Sequence, residues 1–448
     1  MIELKKEELL RFNQDKIIDK NVLVRVDFNV DFYKGKILDK TRIVSFKETL
    51  NFLKKAKRVI LISHLGDPPS LINTDSERIN TDKFIHGLNG SKADNTDNIN
   101  PFKSVQNPHK SVNKYSLKKI LPSIEKILKI KIGFLKDLNS KPKEKISLLE
   151  NIRLFKGEKE CDLNFAKKLS ELGEVFINEA FSVSHRKHAS VYLLPKLLKT
   201  YYGINFEKEI NLLNKFLKTL INADLNTDKR GYNLSTQISV HKKYLRRSVL
   251  HPRSSVVLVL GGSKISTKLP LIEKFLKKNV LIILGGGLAN TYLKAKDFEI
   301  GNSLFEEEIL EKIRKIYFPN ILIPFDFYVL NKNKVFHRFL GEIKKDDVIY
   351  DVGEESLKVF FDEIKKAKAL VWNGPLGLVE DKRFESGTFK LIKFLLSLKG
   401  KFVLVGGGDT LAFLEKKKLL KKFKNISTGG GAMLEYLAKE TLPIFEDE

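Results

Sequence analysis

VVLVLGGSKISTKLPLIEKFLKKNVLIILGGG, residues Val256–Gly287, decides the fold class. A short apolar run, Val256–Leu260, ends in the pair Gly261-Gly262. A helical pattern follows at Leu271–Lys278, and a second apolar run, Val280–Leu284, ends in Gly285–Gly287. Strand, helix and strand in that order form a βαβ unit, and such units build parallel sheets. The same alternation extends in both directions. Strand-like runs are Val22–Val26, Val59–Ser63, Ile146–Leu149 and Val175–Asn178 before this stretch, and Leu322–Pro324, Ala369–Trp372 and Phe402–Val405 after it. Helical patterns lie at Leu117–Leu128, Asn164–Leu172, Lys358–Ala367 and Thr388–Leu398. Nine strands are too many for one short sheet, so 448 residues are read as two doubly wound α/β domains.

The composition is that of a folded globular protein, with 42% hydrophobic and 30% charged residues. No apolar run approaches the roughly 18 residues of a membrane span. The charged start Met1–Arg11 lacks an apolar signal core, which predicts a cytoplasmic protein. The one cysteine, Cys161, excludes an intrachain disulfide framework and a multi-cysteine metal site. The net charge of +26 suggests a polyanion partner. Its distribution argues otherwise: no five basic residues are consecutive, and clusters such as Lys416–Lys418 are interrupted by leucines, as on a solvated helix face. No specific nucleic-acid or membrane partner is therefore expected. With 67 lysines and 14 arginines, an arginine marks a place where the planar fork is needed.

Two segments read as insertions. Ser70–Asn113 is rich in Asn, Ser, Asp and Thr, without an apolar period, and reads as a surface excursion. Ile221–Arg253 is basic and carries Tyr232, Tyr244 and His251.

Ligands of open parallel sheets bind beyond the carboxyl ends of the strands. In the first half those ends are polar: Arg25, Asp27 and Asn29, then Ser63, His64 and Gly66, then Glu150 and Arg153, then Asn178 leading to Ser184, His185 and Arg186. Arg42 could join them. Arginine, histidine and amide donors suit a small anion. In the second half the ends are glycines: Gly261-Gly262, Gly285–Gly287, Gly406–Gly408 and Gly429–Gly431, together 11 of the 27 in the chain. Glycine admits close approach of a phosphate, and a following helix N-terminus supplies N–H donors. Four such clusters indicate a nucleotide crevice. Neither a P-loop nor a GxGxxG fingerprint occurs.

These motifs carry a family resemblance. RVDFNV (Arg25–Val30), SHLG (Ser63–Gly66), LLENIRLFKGE (Leu148–Glu158) and NEAFSVSHRKHAS (Asn178–Ser190) resemble the amino-terminal half of the phosphoglycerate kinases. LGGSKISTKL (Leu260–Leu269), GGGLANTYL (Gly285–Leu293), WNGPLGLVE (Trp372–Glu380), VGGGDT (Val405–Thr410) and STGGGAMLE (Ser427–Glu435) resemble the carboxyl-terminal half. GGSKISTKL and DVGEES (Asp351–Ser356) are most similar to bacterial members.

The resemblance implies two domains: 1–204, to which a tail from 436 to 448 returns, and 221–435, joined by a hinge helix at 205–220. It implies reversible phosphoryl transfer from 1,3-bisphosphoglycerate to MgADP, giving 3-phosphoglycerate and MgATP, by a monomer whose domains close about the hinge. Carried over by position, Asp27, Phe28, Asn29, Arg42, His64, Leu65, Gly66, Asp67, Arg153 and Arg186 would hold the glycerate substrate. Gly261, Gly262, Lys264, Lys268, Gly286, Asn373, Pro375, Glu380, Gly406, Gly407, Gly408, Asp409 and Thr410 would face the nucleotide, with Glu380 at the ribose and Asp409 near Mg²⁺. Arg42 and Lys268 would be catalytic.

Three positions depart from the family pattern. SHLGRP reads Ser63-His-Leu-Gly-Asp67-Pro68, so a carboxylate replaces an arginine beside the anion site. It is expected to point away or to be compensated by a lysine from the adjoining insertion. Asp-Ala-Phe-Gly-Thr-Ala reads Glu179-Ala-Phe-Ser-Val-Ser184, and Asp31 stands in place of a proline. Asp67 leaves open a second reading, a nucleotide- or anion-binding protein of weakened turnover.

Overall fold

A computed structural model describes residues 14–33, 36–68, 114–225, 255–278, 280–315 and 320–446. The proposed insertion Ser70–Asn113 lies outside the described residues, as does all of the basic one beyond residue 225. The chain divides into two compact units, Ile2–Lys208 with Pro443–Glu448, and Glu209–Leu442. The boundary between them falls inside one helix, Ile204–Leu225. Residues 221–225, expected to begin an insertion, continue that helix.

The first unit carries a six-stranded parallel sheet. Its strands are β1 (Asn21–Arg25), β4 (Arg58–Ile62), β5 (Gly133–Leu135), β6 (Ile146–Leu149), β7 (Val175–Asn178) and β8 (Lys199–Tyr202), in the order β5-β6-β4-β1-β7-β8. A short hairpin, β2 (Phe32–Tyr33) with β3 (Lys36–Ile37), follows β1. Residues alternate across each strand, and both faces are covered. Val22, Val24, Val59 and Leu61 enter one core cluster, whereas Leu23, Ile60 and Ile62 enter the other. The continuous apolar runs read from the sequence are the signature of that double burial. The tail joins this unit from Pro443. Ile444 packs on Ala180, Val183 and Val191, and the Phe445 ring lies 5.5 Å from that of Tyr202.

The second unit has its own six-stranded parallel sheet: β9 (Val256–Leu260), β10 (Val280–Leu284), β11 (Ile321–Leu322), β15 (Ala369–Asn373), β16 (Phe402–Gly406) and β17 (Asn425–Ser427), ordered β11-β10-β9-β15-β16-β17. The opening stretch supplies β9 and β10, which pair in parallel from Val256↔Val280 to Leu260↔Leu284. A three-stranded antiparallel sheet of β12 (Asp326–Asn331), β13 (Lys334–Phe339) and β14 (Val348–Val352) is set beside it. Asp326 ties this sheet to the helix Glu354–Lys366 by accepting the backbone N–H groups of Glu355 (3.1 Å) and Ser356 (2.8 Å), free donors of that helix's first turn. Among the described residues no helix is long and apolar enough to cross a membrane.

Candidate functional site

In the first unit the residues after β1, β4, β6 and β7 converge by hydrogen bonding at the carboxyl edge of the sheet. The Gly66 N–H donates to Asn29 Oδ1 (2.8 Å), and Arg153 Nη1 donates to the Gly66 carbonyl (2.9 Å). The Ser182 hydroxyl donates to Asp27 Oδ2, which also pairs with Arg42 Nη1 at 2.9 Å. Arg42 Nη1 donates further to the Asn29 carbonyl at 3.0 Å. The Arg153 backbone is set by Asn151, whose Oδ1 accepts its N–H (3.1 Å) and whose Nδ2 donates to the carbonyls of Leu65 and Tyr115.

The expected residues divide by role. Phe28 and Leu65 turn their side chains into the core and offer only backbone to the site. Arg25 is fully buried and belongs to the frame: it donates to Ser190 Oγ, to the Val26 and Ile62 carbonyls, and lies 3.3 Å from His64 Nδ1. Asp27, Asn29, Arg42 and Gly66 are partly exposed, and Arg186 is exposed. His64 is held neutral, its pKa well below the usual imidazole value through burial and through Arg25, Arg153, Arg42 and Arg186. The same crowding, after burial, lowers Arg153 to about 10. Positive charge is thus concentrated at this edge of the sheet, an arrangement that suits an anion.

Asp67 does not point away from this cluster, and a lysine outside the insertion pairs with it; the expected lysine of the insertion itself lies outside the described residues. Lys159 Nζ, from the loop after β6, stands 3.3 Å from its Oδ1, and Arg153 Nη1 stands 3.6 Å away. Burial works to raise the Asp67 carboxyl, but the Lys159 hydrogen bond and the charges of Lys159, Arg153 and Arg186 outweigh it and hold the pKa below the usual range.

In the second unit the glycine clusters interlock. The Gly261 N–H donates to the Asn373 carbonyl (2.9 Å), that of Gly262 to Pro375 (2.9 Å), and that of Gly286 to Leu376 (2.9 Å). A Cβ on Gly261 would lie 2.0 Å from the Pro375 carbonyl oxygen, so no side chain fits there. Gly407 has φ +100° and packs against the amide of Asn373, whose Nδ2 is buried without a hydrogen-bond partner among the described residues. Three helices begin at these clusters: Gly286–Ala295, Gly408–Lys416 and Gly431–Lys439. Their N-termini present backbone donors and the positive dipole end. Lys268 is buried beside Gly262, its ammonium donating to the Gly261 carbonyl. Desolvation lowers its pKa to about 8 against the opposing pull of Asp409.

A pocket lies over these turns. Gly262, Gly286, Pro375, Glu380 and Asp409 line it, together with Asn290, Leu304, Phe327, Tyr350, Asp351 and Leu376, which sequence reasoning did not select. Lys264, Glu380 and Asp409 are exposed. Thr410 is buried, and its hydroxyl accepts the Gly374 N–H at 2.8 Å, so it braces the turn rather than facing the pocket. Lys159, Ser182 and the apolar pocket walls were also missed. The unusual sign of Asp67 was the one signal for Lys159; an apolar wall residue looks like any core residue in sequence.

The comparisons agree with one another. The family model described as phosphoglycerate kinase matches residues 13–224 and 228–440. A phosphoglycerate kinase of Wigglesworthia glossinidia brevipalpis is 33% identical over 441 residues, covering 96% of this chain and 94% of its own length. One of Coprothermobacter proteolyticus is 33% identical over 444 residues, covering 95% of each chain. The solved phosphoglycerate kinase of Coxiella burnetii superposes with a TM-score of 0.66 at 28% identity, covering 96% of this chain and 95% of its own. That of Pyrococcus horikoshii, at 23% identity and a TM-score of 0.68, shows the same fold. This chain belongs to the phosphoglycerate kinase family.

Proposed function

We propose that the strand ends of the first unit bind the glycerate substrate and those of the second unit bind the adenine nucleotide. The reaction of the family is reversible transfer of a phosphoryl group between 1,3-bisphosphoglycerate with ADP and 3-phosphoglycerate with ATP, a step of glycolysis. The division of labour rests on one observation: side-chain cations gather at the first sheet's edge, and glycine turns with helix N-termini gather at the second's.

In the ATP-consuming direction the nucleophile is a carboxylate, ionised at pH 7 with a pKa of about 4. It needs no general base. The work is to position the groups in line and to stabilise charge spread over the equatorial oxygens. Arg42, with Nη1 anchored on Asp27, presents its fork to the phosphoryl group from the glycerate side. Lys268 meets it from the nucleotide side. The units close on the ternary complex so that both cations act on one group with water excluded. Asn373 Nδ2 and the N–H groups at Gly407 and Gly408 would donate to the phosphates, and Glu380 would accept from the ribose hydroxyls. Mg²⁺ suits the donor set: Asp409 is an exposed carboxylate in the first turn of the helix Gly408–Lys416, and Mg²⁺ characteristically combines one or two carboxylates with substrate phosphates and water. When bound, the ion neutralises phosphate charge. One chain supplies both sets of residues, so no second chain is needed to complete the proposed site, and a monomer acting in the cytoplasm is the proposed form.

Asp67 is the support for a second reading, a binding protein of weakened turnover; its pairing with Lys159 and the family membership of the chain favour the kinase. A coupled assay with ADP and 1,3-bisphosphoglycerate tests the reading. Turnover that collapses in both Arg42→Gln and Lys268→Ala is expected; turnover indifferent to both would overturn the assignment.

A further inference from the structure

Gly66 holds Asp67 at the rim of the arginine cluster, because its N–H and C=O are engaged by Asn29 and Arg153. Arg153 is buried beside it and tied to the Gly66 carbonyl. Its side chain is 5% exposed, and its Nε has no hydrogen-bond partner among the described residues. The guanidinium donors that it does not spend on Gly66 are what it can offer an anion. A carboxylate 3.6 Å away competes with that anion for them. Lys159 stands between the two outcomes. Its ammonium lies closer to Asp67, at 3.3 Å, and is fixed there by a second hydrogen bond, 2.7 Å, to the Pro68 carbonyl. Lysine gives a compact charge and arginine a fork, so the lysine can satisfy the carboxylate while the fork stays available.

We infer that Lys159 is a positioning residue for the anionic substrate: by pairing with Asp67 it keeps that carboxylate off the Arg153 guanidinium, which is thereby left for 3-phosphoglycerate. The Lys159–Asp67 pair is electrically neutral, so it cancels the negative charge that Asp67 puts at the rim without supplying the positive charge that the arginine of the family pattern would. The inference rests on the first unit's strand ends being the glycerate site.

The test is steady-state kinetics of the full chain in the ATP-consuming direction, with the KM for 3-phosphoglycerate read separately from kcat. Lys159→Met keeps the aliphatic stem and removes the charge. It should raise that KM about three- to fivefold, the range of a partly exposed ion pair. The kcat and the KM for MgATP should stay within about 1.5-fold. Lys159→Arg should restore the KM. Asp67→Asn should lower it, and in the Asp67→Asn background Lys159→Met should change it by less than about 1.5-fold. That coupling is what a merely structural lysine would not produce. An unchanged KM in Lys159→Met, or the same rise with and without Asp67, overturns the inference. Arg153→Gln separates the two levels. If it raises the KM for 3-phosphoglycerate and Lys159→Met does not, only the positioning role falls. If Arg153→Gln leaves the KM unchanged, the glycerate site and this role fall together.

Discussion

The edges of the two sheets are equivalent places in two doubly wound units, yet they concentrate positive potential by opposite means. The first uses side-chain charge. Arg42, Arg153, Arg186 and Lys159 stand at this edge, and the cost of crowding them is visible in a histidine held neutral and in the carboxylates Asp27 and Asp67 that pair with Arg42 and Lys159. The second uses backbone N–H groups at glycine turns, with one buried cation, Lys268. Dipoles do not repel one another as full charges do, so the turns at Gly261 and Gly374 pack until no Cβ fits between them. The lesson concerns tolerance. A site of charged side chains can absorb a sign reversal by recruiting a partner from elsewhere, as Asp67 recruits Lys159. A site of interlocked backbone has no such freedom.

The largest expected effect falls on the one side chain that breaks the second site's pattern. Lys268→Ala should lower kcat about 10²- to 10³-fold, the usual loss when a preorganised transition-state donor is removed, with a smaller change in the KM for nucleotide. Its pH dependence follows from burial. A lysine lowered to about 8 is charged below that pH and loses the charge as pH rises through it, so kcat/KM for the nucleotide should fall above about pH 8. Lys268→Arg should remove that fall, because a guanidinium stays protonated. A pH profile flat to 10 in the unmodified chain would take Lys268 out of the catalytic role.

Next in size is a loss of stability that only the backbone site should show. Gly261→Ala forces a methyl group to within 2.0 Å of the Pro375 carbonyl oxygen, and both partners are main chain. A cost of about 1–3 kcal/mol is expected, read as a lower midpoint in urea unfolding. Arg186→Ala, at an exposed side chain of the charged site, should leave that midpoint unchanged. Equal midpoints for the two variants would erase the contrast between the sites.

Much of this contrast is legible in the sequence, for a physical reason. Strands buried on both faces read as unbroken apolar runs, and glycine clusters after them mark places where backbone must come close. Among the strands that escaped, three lack that signature. β5 has three residues, β8 is the edge sequence KTYY, and every residue of β13 is at least partly exposed. The direction of a side chain is not written in a strand-end motif, which is why Arg25 reads as a ligand and is a buried brace, and why Thr410 reads as a contact and is a cap on the Gly374 turn. Lys159 was illegible because 92 residues separate it from Asp67, and only the parallel order of β4 and β6 brings their loops together.

Glu380 sharpens the comparison within the proposed nucleotide site, where it is an exposed side chain lining the pocket together with Asp409. Glu380→Ala should raise the KM for MgATP by about tenfold, the value of a hydrogen bond to a charged group, and leave kcat nearly unchanged. The opposite pattern, a fall in kcat at constant KM, would place Glu380 at the reacting phosphate instead of at the ribose.

The smallest effect tests whether the charged site keeps its tolerance when pushed the other way. Asp67→Arg replaces a carboxylate with a cation at a side chain that is 67% exposed, so solvent screening limits the gain. It frees Lys159 and Arg153 at once and adds a third donor, at the cost of repulsion among the three. The anion settles that balance, because repulsion in the free site is relieved on binding. The KM for 3-phosphoglycerate should therefore fall, by about threefold, while the thermal midpoint of the unliganded chain falls slightly and recovers when 3-phosphoglycerate is added. An unchanged or higher KM would mean that residue 67 does not face the bound anion, and the rim of the site would then have to be drawn through Arg153 and Arg186 alone.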